Sequence, residues 1–456
     1  MRWFLVVTAV ALAVTGSASG ELVARVSDGM IAVAPNGTPL VGFVRGQQLV
    51  IAQRTGRERW RQQPVTQVSR GSRLAAFKAG AAGPVAVIIG PSDRSLIVLS
   101  RRGKRWHKTP LVGRLGGDLS LGWPGLTLDR AGLPVVAYTR WHSRSLFSQL
   151  ILTEIDARGK AHTQRVTARG WPKSYTPPPA SPVIVRDGTV HVVESYGVSG
   201  AVGTIEWIPR SHTWIGLYLS AGRGGFPIGP LFAVPGRGSI VYAAWTEEFP
   251  GSLFGGFPVT LATHGREITE SIVSERGVTT GLAMTPRGPV LAANEWVAAD
   301  NFSFAFPAPD AVWAGTVTGR AGSELDGRLA GLAAVPRSGA QDLLLARPDG
   351  LSWFRSRSLP VRVSLTADAQ GNGTIALSGH VQGAHGGHVT IYREHAKARR
   401  ETAGTIKLGA GGAFTLVDSA RAHPVFYRAV YVDPATGIPY ARLLRDPVPA
   451  PPPPPE

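Results

Sequence analysis

The run Leu126-Thr127-Leu128-Asp129-Arg130-Ala131-Gly132-Leu133-Pro134-Val135-Val136-Ala137-Tyr138 holds two short apolar segments on either side of a glycine turn. Short β-branched and aliphatic runs bounded by turn residues are the signature of a β-hairpin. The turn has its own requirement. A tight reversal needs a residue that accepts positive φ, and glycine does so without steric cost.

The phrase recurs along the chain. It appears as Ile31 to Val44 around Gly37, Leu74 to Ile89 around Gly83, and then the run above around Gly132. It continues as Val183 to Glu194 around Gly188, Leu231 to Trp245 around Gly238, Leu282 to Asn294 around Gly288, and Leu332 to Ala346 around Gly339. Successive glycines lie 46, 49, 56, 50, 50 and 51 residues apart, and most units carry a third strand such as Leu96 to Ser100 or Leu150 to Ile155. Short strands repeating about every 50 residues are the arithmetic of propeller blades. The expected fold is therefore all-β, with a seven-bladed β-propeller over residues 21–356. Glu21 to Arg25 precedes the first unit while the last unit lacks a strand, so the N-terminal segment is expected to close the ring.

The pattern changes after Arg357. Residues 357–446 carry seven short alternating runs with frequent turns, the spacing of a small β-sandwich. The stretches Gly379-His380-Val381, Gly387-His388-Val389-Thr390-Ile391-Tyr392, Gly412-Ala413-Phe414 and Tyr427-Arg428-Ala429-Val430-Tyr431 resemble the Ig-like modules appended to bacterial exported proteins. That resemblance covers about a fifth of the chain and implies a spacer or adhesive role without chemistry. A cut near Arg355 to Leu359 is expected to release the sandwich, with few contacts across it. The propeller part resembles sialidase-like propellers in architecture but lacks Asp boxes; the nearest stretch, Leu99 to Trp106, has Leu and Arg where Ser and Asp belong. Residues 447–456 read as a stiff proline tail.

Residues 1–20 read as a signal peptide: Arg2 precedes the apolar run Trp3 to Val14, and Gly16, Ala18 and Gly20 are small. The run is shorter than a bilayer span needs, and no other segment offers one, so the expected location is extracellular or at the cell surface without a membrane helix. The chain has no cysteine, which excludes disulfides, thiolate metal sites and a Cys nucleophile. The formal charge of +18 invites a polyanion, such as an anionic cell-wall polymer or glycan. Only 7 of the 48 basic residues are lysines, however, and they are scattered, as biased codon usage would produce. Nucleic acid is not an expected partner.

Candidate chemistry centres on the loops that follow the second strand of units three to six. Equivalent loops of successive blades converge on one face, so Trp141, Glu194, Trp245, Glu247, Glu295 and Trp296 are the expected ligand-binding residues. Aromatic rings and carboxylates together suit a sugar. The competing reading packs the rings between blades and solvates the acids. Trp60, Trp106, Trp207, Trp313 and Trp353 are read as packing residues for the same reason. Asp368, Gln370, Asn372 and Gly373 mimic a calcium loop but lack its closing carboxylate. His380, His385 and His388 lack metal-ligand spacing, and no Gly-rich stretch has the flanks of a phosphate loop, so no cofactor or metal is expected.

Three functions follow in order. The first is an interaction protein recognising a glycan, cell-wall polymer or protein; the second is a glycan-active hydrolase or lyase using the carboxylates; the third is a structural protein without a small ligand.

Overall fold

The structure, a computed structural model, describes residues 21–448 apart from 57–58, 167–176, 187, 197–200, 209–212, 219–225, 249–258, 265–267, 275–276, 287, 296–310, 317–321, 337, 339, 348, 357–360, 371–373, 395–399, 420–424 and 445–447. The leader read over residues 1–20 and most of the proline tail lie outside the described residues. Strands dominate, and the helical turns among the described residues are the short 3-10 turns Pro91–Asp93 and Ala410–Gly412. No helix among them is long and apolar enough to cross a membrane.

Residues 21–356 form seven antiparallel sheets, each a meander of neighbouring strands. The first sheet runs Met30–Val33, Pro39–Arg45, Gln48–Gly56 and Arg59–Gln67, and the second Arg73–Gly80, Gly83–Ile89, Leu96–Arg102 and Arg105–Val112. In the third, Leu119–Leu121 and Gly125–Leu128 share the first position beside Pro134–His142, Ser148–Ile155 and Ala161–Val166. The fourth is Ala180–Ile184, Val190–Tyr196, Ala201–Ile208 and Thr213–Tyr218; the fifth is Phe226–Pro235, Val241–Glu248, Val259–His264 and Ile268–Ser274. Gly277–Thr285, Gly288–Glu295, Ala311–Thr316 and Gly322–Asp326 make the sixth. The seventh is Arg328–Ala334, Gln341–Arg347 and Gly350–Ser356, completed on its outer edge by Glu21–Ala24.

The first strands of successive sheets touch one another in turn, and that of the seventh touches that of the first, so the sheets close into a propeller ring. The packing follows from strand alternation, which sends successive side chains to opposite faces. Leu40 and Ile51 meet Phe77 and Ile88 between the first and second sheets, while Val41, Phe43 and Val50 face back onto Leu344 and Trp353 of the seventh. Each of the other five gaps between neighbouring sheets has its own apolar cluster. No single core holds the ring. A blade buries its faces only against its neighbours, which makes closure a condition of stability.

The closing strand does what its position in the sequence suggests. Arg54 of the first sheet grips the Glu21 carboxylate with two hydrogen bonds of 2.8 and 2.6 Å, and Gln62 Nε2 donates to Val23 O at 2.8 Å. Trp60 Nε1 donates to Glu21 Oε2 at 3.2 Å, and its ring meets Trp353 edge-on at 5.9 Å.

Beyond the ring, Arg362–Ala369, Thr374–Gln382 and Ala413–Ser419 form one sheet, and His388–Glu394, Arg400–Lys407, Phe426–Val432 and Pro439–Leu443 lie in the other. Tyr427 and Arg393 both donate to Asp418 Oδ2 at 2.7 Å, tying the two sheets together. One expectation needs correction here. The sandwich is not joined by a boundary that few contacts cross: Tyr440 pairs with Leu325, so its second sheet continues the sixth propeller sheet edge to edge. A single apolar cluster then runs from Val290 and Leu343 in the ring to Ile391 and Tyr431 in the sandwich. The pairing at Leu325 covers part of the edge that Gly322–Asp326 would otherwise leave open, which is one physical gain of the junction.

Candidate functional site

The second strands of the third to sixth sheets all run in the same sense, so their C-terminal ends lie on one side of the ring. Register makes them equivalent. His142 sits opposite Leu119, Glu194 opposite Ala180, Glu248 opposite Phe226 and Glu295 opposite Gly277, each the first residue of its sheet's inner strand. Trp141, Glu194, Glu247 and Glu295 therefore share one rim. For Glu295 the description is confined to the backbone, and Trp296 lies outside the described residues.

Which gap each side chain enters follows from its neighbours on the strand. Val190 and Val192 pack on Val135 and Ala137 of the third sheet, together with Ala180. Glu194, next in that alternation and directly opposite Ala180, faces the same gap. From the other side, Thr139 and Trp141 continue the alternation of Val135 and Ala137, and Ser120 lies opposite Trp141. Ser120, Trp141 and Glu194 thus converge on the rim of the gap between the third and fourth sheets.

The backbone is drawn tight there. Thr139 Oγ1 donates to Pro178 O at 2.5 Å, Ala180 N to Trp123 O at 3.0 Å, and Ser195 N to Pro179 O at 3.4 Å. A Cβ placed on Gly122 would lie 1.8 Å from Pro178 O, and one on Gly125 would lie 2.6 Å from Ala180 O. Glycine at both positions lets the interrupted inner strand of the third sheet press against the fourth.

Glu194 is 1 % exposed, and neither carboxyl oxygen has a hydrogen-bond partner among the described residues. Burial pushes its pKa well above the usual carboxylate range and so favours the protonated, neutral form. Ser120 Oγ is also buried without a partner among the described residues. Buried polar atoms are satisfied in the great majority of cases, and an exception marks a place where a water or ligand is expected. A neutral carboxyl donates one hydrogen bond and accepts others, a hydroxyl does both, and an indole face offers apolar contact.

Trp245 and Glu247 belong to a different gap. Trp245 is wholly buried among Val183, Val193, Val241 and Ala243, between the fourth and fifth sheets. This corrects the expectation of an exposed stacking ring: Trp245 is a packing residue, and its Nε1 donates to Glu247 Oε1 at 2.8 Å. Glu247 is 1 % exposed on that same face. The fourth sheet separates it from Glu194, so these two acids do not form the facing pair that glycoside hydrolysis uses. Trp60, Trp106 and Trp353 pack at or beside the inter-sheet clusters, whereas the side chains of Trp207 and Trp313 lie outside the description. Asn372 and Gly373 of the calcium-like run lie outside the described residues, and no group of three or more metal-ligating side chains occurs among them. Ser120 was not singled out in the sequence. Its signal was the pair Gly122 and Gly125, which breaks the hairpin pattern only in the third unit.

No family model matches the chain. No curated protein matches it either. Among solved structures it is similar to a lectin of Aleuria aurantia in complex with alpha-methyl-L-fucoside, at 12 % identity over 67 % of this chain and 96 % of the lectin, with a TM-score of 0.41. An alpha-L-arabinanase of Penicillium chrysogenum complexed with arabinobiose matches at 14 % identity over 61 % and 92 %, with a TM-score of 0.39. An exo-beta-1,3-galactanase of Phanerochaete chrysosporium matches at 7 % over 92 % and 99 %, with a TM-score of 0.37. At such scores the likenesses carry neither ligand nor activity over to this chain.

Proposed function

We propose that the chain is an exported interaction protein: a seven-bladed propeller that recognises a glycan at the rim between its third and fourth sheets, with an Ig-like module behind it. The observation that supports this most is the buried carboxyl of Glu194, without a hydrogen-bond partner among the described residues, facing the same gap as Trp141 and Ser120. A sugar hydroxyl satisfies both kinds of orphan group at once, since it donates and accepts, while Trp141 covers the apolar face of the ring. The apolar leader over residues 1–20 supports export, and the resemblance of residues 357–446 to Ig-like modules supports a spacer that presents the propeller.

A glycan array probed with the wild-type protein and with Glu194→Leu tests the reading. Binding is expected for wild type and is expected to weaken for the variant, whose apolar side chain offers a sugar hydroxyl neither donor nor acceptor. No binding to any glycan, or equal binding by both proteins, would overturn it.

A further inference from the structure

The side of the third sheet that faces away from Glu194 carries a cation with nothing to balance it. Arg140 precedes Trp141 on the strand Pro134–His142 and stands directly opposite Leu121. Leu121 and Tyr138, the latter two residues back on Arg140's own face, pack with Val87 and Ile89 of the second sheet. Arg140 therefore enters the rim of the gap between the second and third sheets. Its Nε is enclosed, and the side chain has no hydrogen bond or ion pair to any described residue. A half-buried guanidinium without a counter-charge is unfavourable by itself.

The surrounding chain does not supply that charge. Between Arg73 and Thr176, which takes in the whole of the second and third sheets, the acids are Asp93, Asp118, Asp129, Glu154 and Asp156, and all of them are described. Asp129, Glu154 and Asp156 lie at the hairpin-turn end of the third sheet, where Glu154 stands opposite Val135. On the rim, Asp93 is taken by Arg73 and Asp118 by Arg144, each at 2.6 Å. Arg73 also lies over the Trp123 ring at 4.6 Å, and Arg94 Nη2 donates to Gly117 O at 3.1 Å. Gln149, opposite Arg140 on the other side of its strand, is neutral. Four arginines thus share this rim with two acids, and Arg140 is the one held by nothing.

We infer that Arg140 anchors an oxyanion carried by the glycan, so that the ligand is an acidic saccharide lying over the edge of the third sheet from the Trp141 side to the Arg140 side. This rests on the glycan reading and names the class of glycan. Successive residues of a strand point to opposite faces, so at the strand's end one ligand crossing the edge meets both groups. The guanidinium offers the parallel hydrogen bonds that the oxygens of a carboxylate or a sulfate accept. A neutral sugar would leave the charge unbalanced.

Matched pairs of oligosaccharides are the probes: oligogalacturonides with their methyl esters, and sulfated oligosaccharides with their unsulfated parents. Affinities are measured for wild type, Arg140→Gln, Arg140→Lys, and a K104Q/R105Q variant whose lost charges lie at the hairpin-turn end of the second sheet; melting temperatures show whether each variant folds. Wild type is expected to prefer the acidic member of at least one pair by roughly tenfold or more, and that pair identifies the oxyanion. Arg140→Gln is expected to lose the preference while keeping its affinity for the neutral member. Arg140→Lys, which keeps the charge without the fork, is expected to fall between, and K104Q/R105Q to match wild type. Binding of neutral members as tightly as acidic ones in every pair would overturn the inference and leave the glycan reading standing. A preference that survives in Arg140→Gln, or that K104Q/R105Q loses equally, would overturn it as well. Binding of no oligosaccharide here or on the array would remove both readings together.

Discussion

Arg428, in the sandwich and wholly buried, reaches Asp326 of the sixth propeller sheet with 3.5 Å between Nη1 and Oδ1. Its Nε also donates to Glu394 Oε1 at 2.6 Å. A cation enclosed between two acids, one from each part of the chain, makes the junction sensitive to any change in charge. Removing one member of such a group leaves its partners charged and buried, at a cost of about 3–5 kcal/mol.

The junction therefore makes the wild-type chain melt as one cooperative unit. Arg428→Ala is expected to lower the melting temperature, and Asp326→Asn is expected to speed hydrogen exchange in Gly322–Asp326 and Pro439–Leu443 together. Scanning calorimetry checks the first statement. Two independent transitions in the wild-type protein would contradict it.

Ring closure makes a separate claim on stability. Deleting Glu21–Ala24 removes the outer strand of the seventh sheet, the buried side chains of Val23 and Ala24, and the carboxylate held by Arg54. Burial of Val23 and the charge-assisted hydrogen bonds together contribute roughly 3 kcal/mol or more, so the melting temperature of so large a cooperative unit should fall by about 3 °C or more. Thermal denaturation of the truncated chain measures it, and an unchanged midpoint would show that the strand is dispensable.

Glu194 gives a pH dependence with a definite sign. Its pKa in the fold is raised, so the folded state keeps a proton that the unfolded chain releases as pH passes through the ordinary carboxylate range. The carboxyl thus favours folding most in acid and loses that advantage as pH rises. Glu194→Gln, which cannot ionise in either state, is expected to gain melting temperature relative to wild type as pH rises from about 4, the ordinary carboxylate range, towards neutrality. Parallel melting curves for the two proteins across that range would show that Glu194 is ionised in the fold.

Much of this architecture was legible because its causes are local. Gly132 and Gly188 have φ of +79° and +95° in their hairpin turns, as the repeat required, and the unpaired segment at Glu21 announced the closing strand. Trp245 was misread although its parity with Val241 and Ala243 already assigned it to the core; its place at a strand end suggested a loop. Arg428 carries no such signal. Tyr427, Ala429 and Tyr431 face the sandwich core and leave Arg428 on the side that ordinarily meets solvent. Only the propeller, contributed by a segment about a hundred residues away, buries it. Ser120 was hidden for a related reason, since its convergence with Glu194 depends on two sheets meeting rather than on any local pattern.

A crystal structure of the protein with the best ligand from the glycan array tests the binding site itself. The expected result is a sugar hydroxyl within about 3 Å of the Glu194 carboxyl, with the Trp141 ring against the sugar and Ser120 Oγ within hydrogen-bonding reach. A ligand bound outside the gap between the third and fourth sheets, for instance on the opposite face beside the turns at Gly132 and Gly188, would contradict the proposed site.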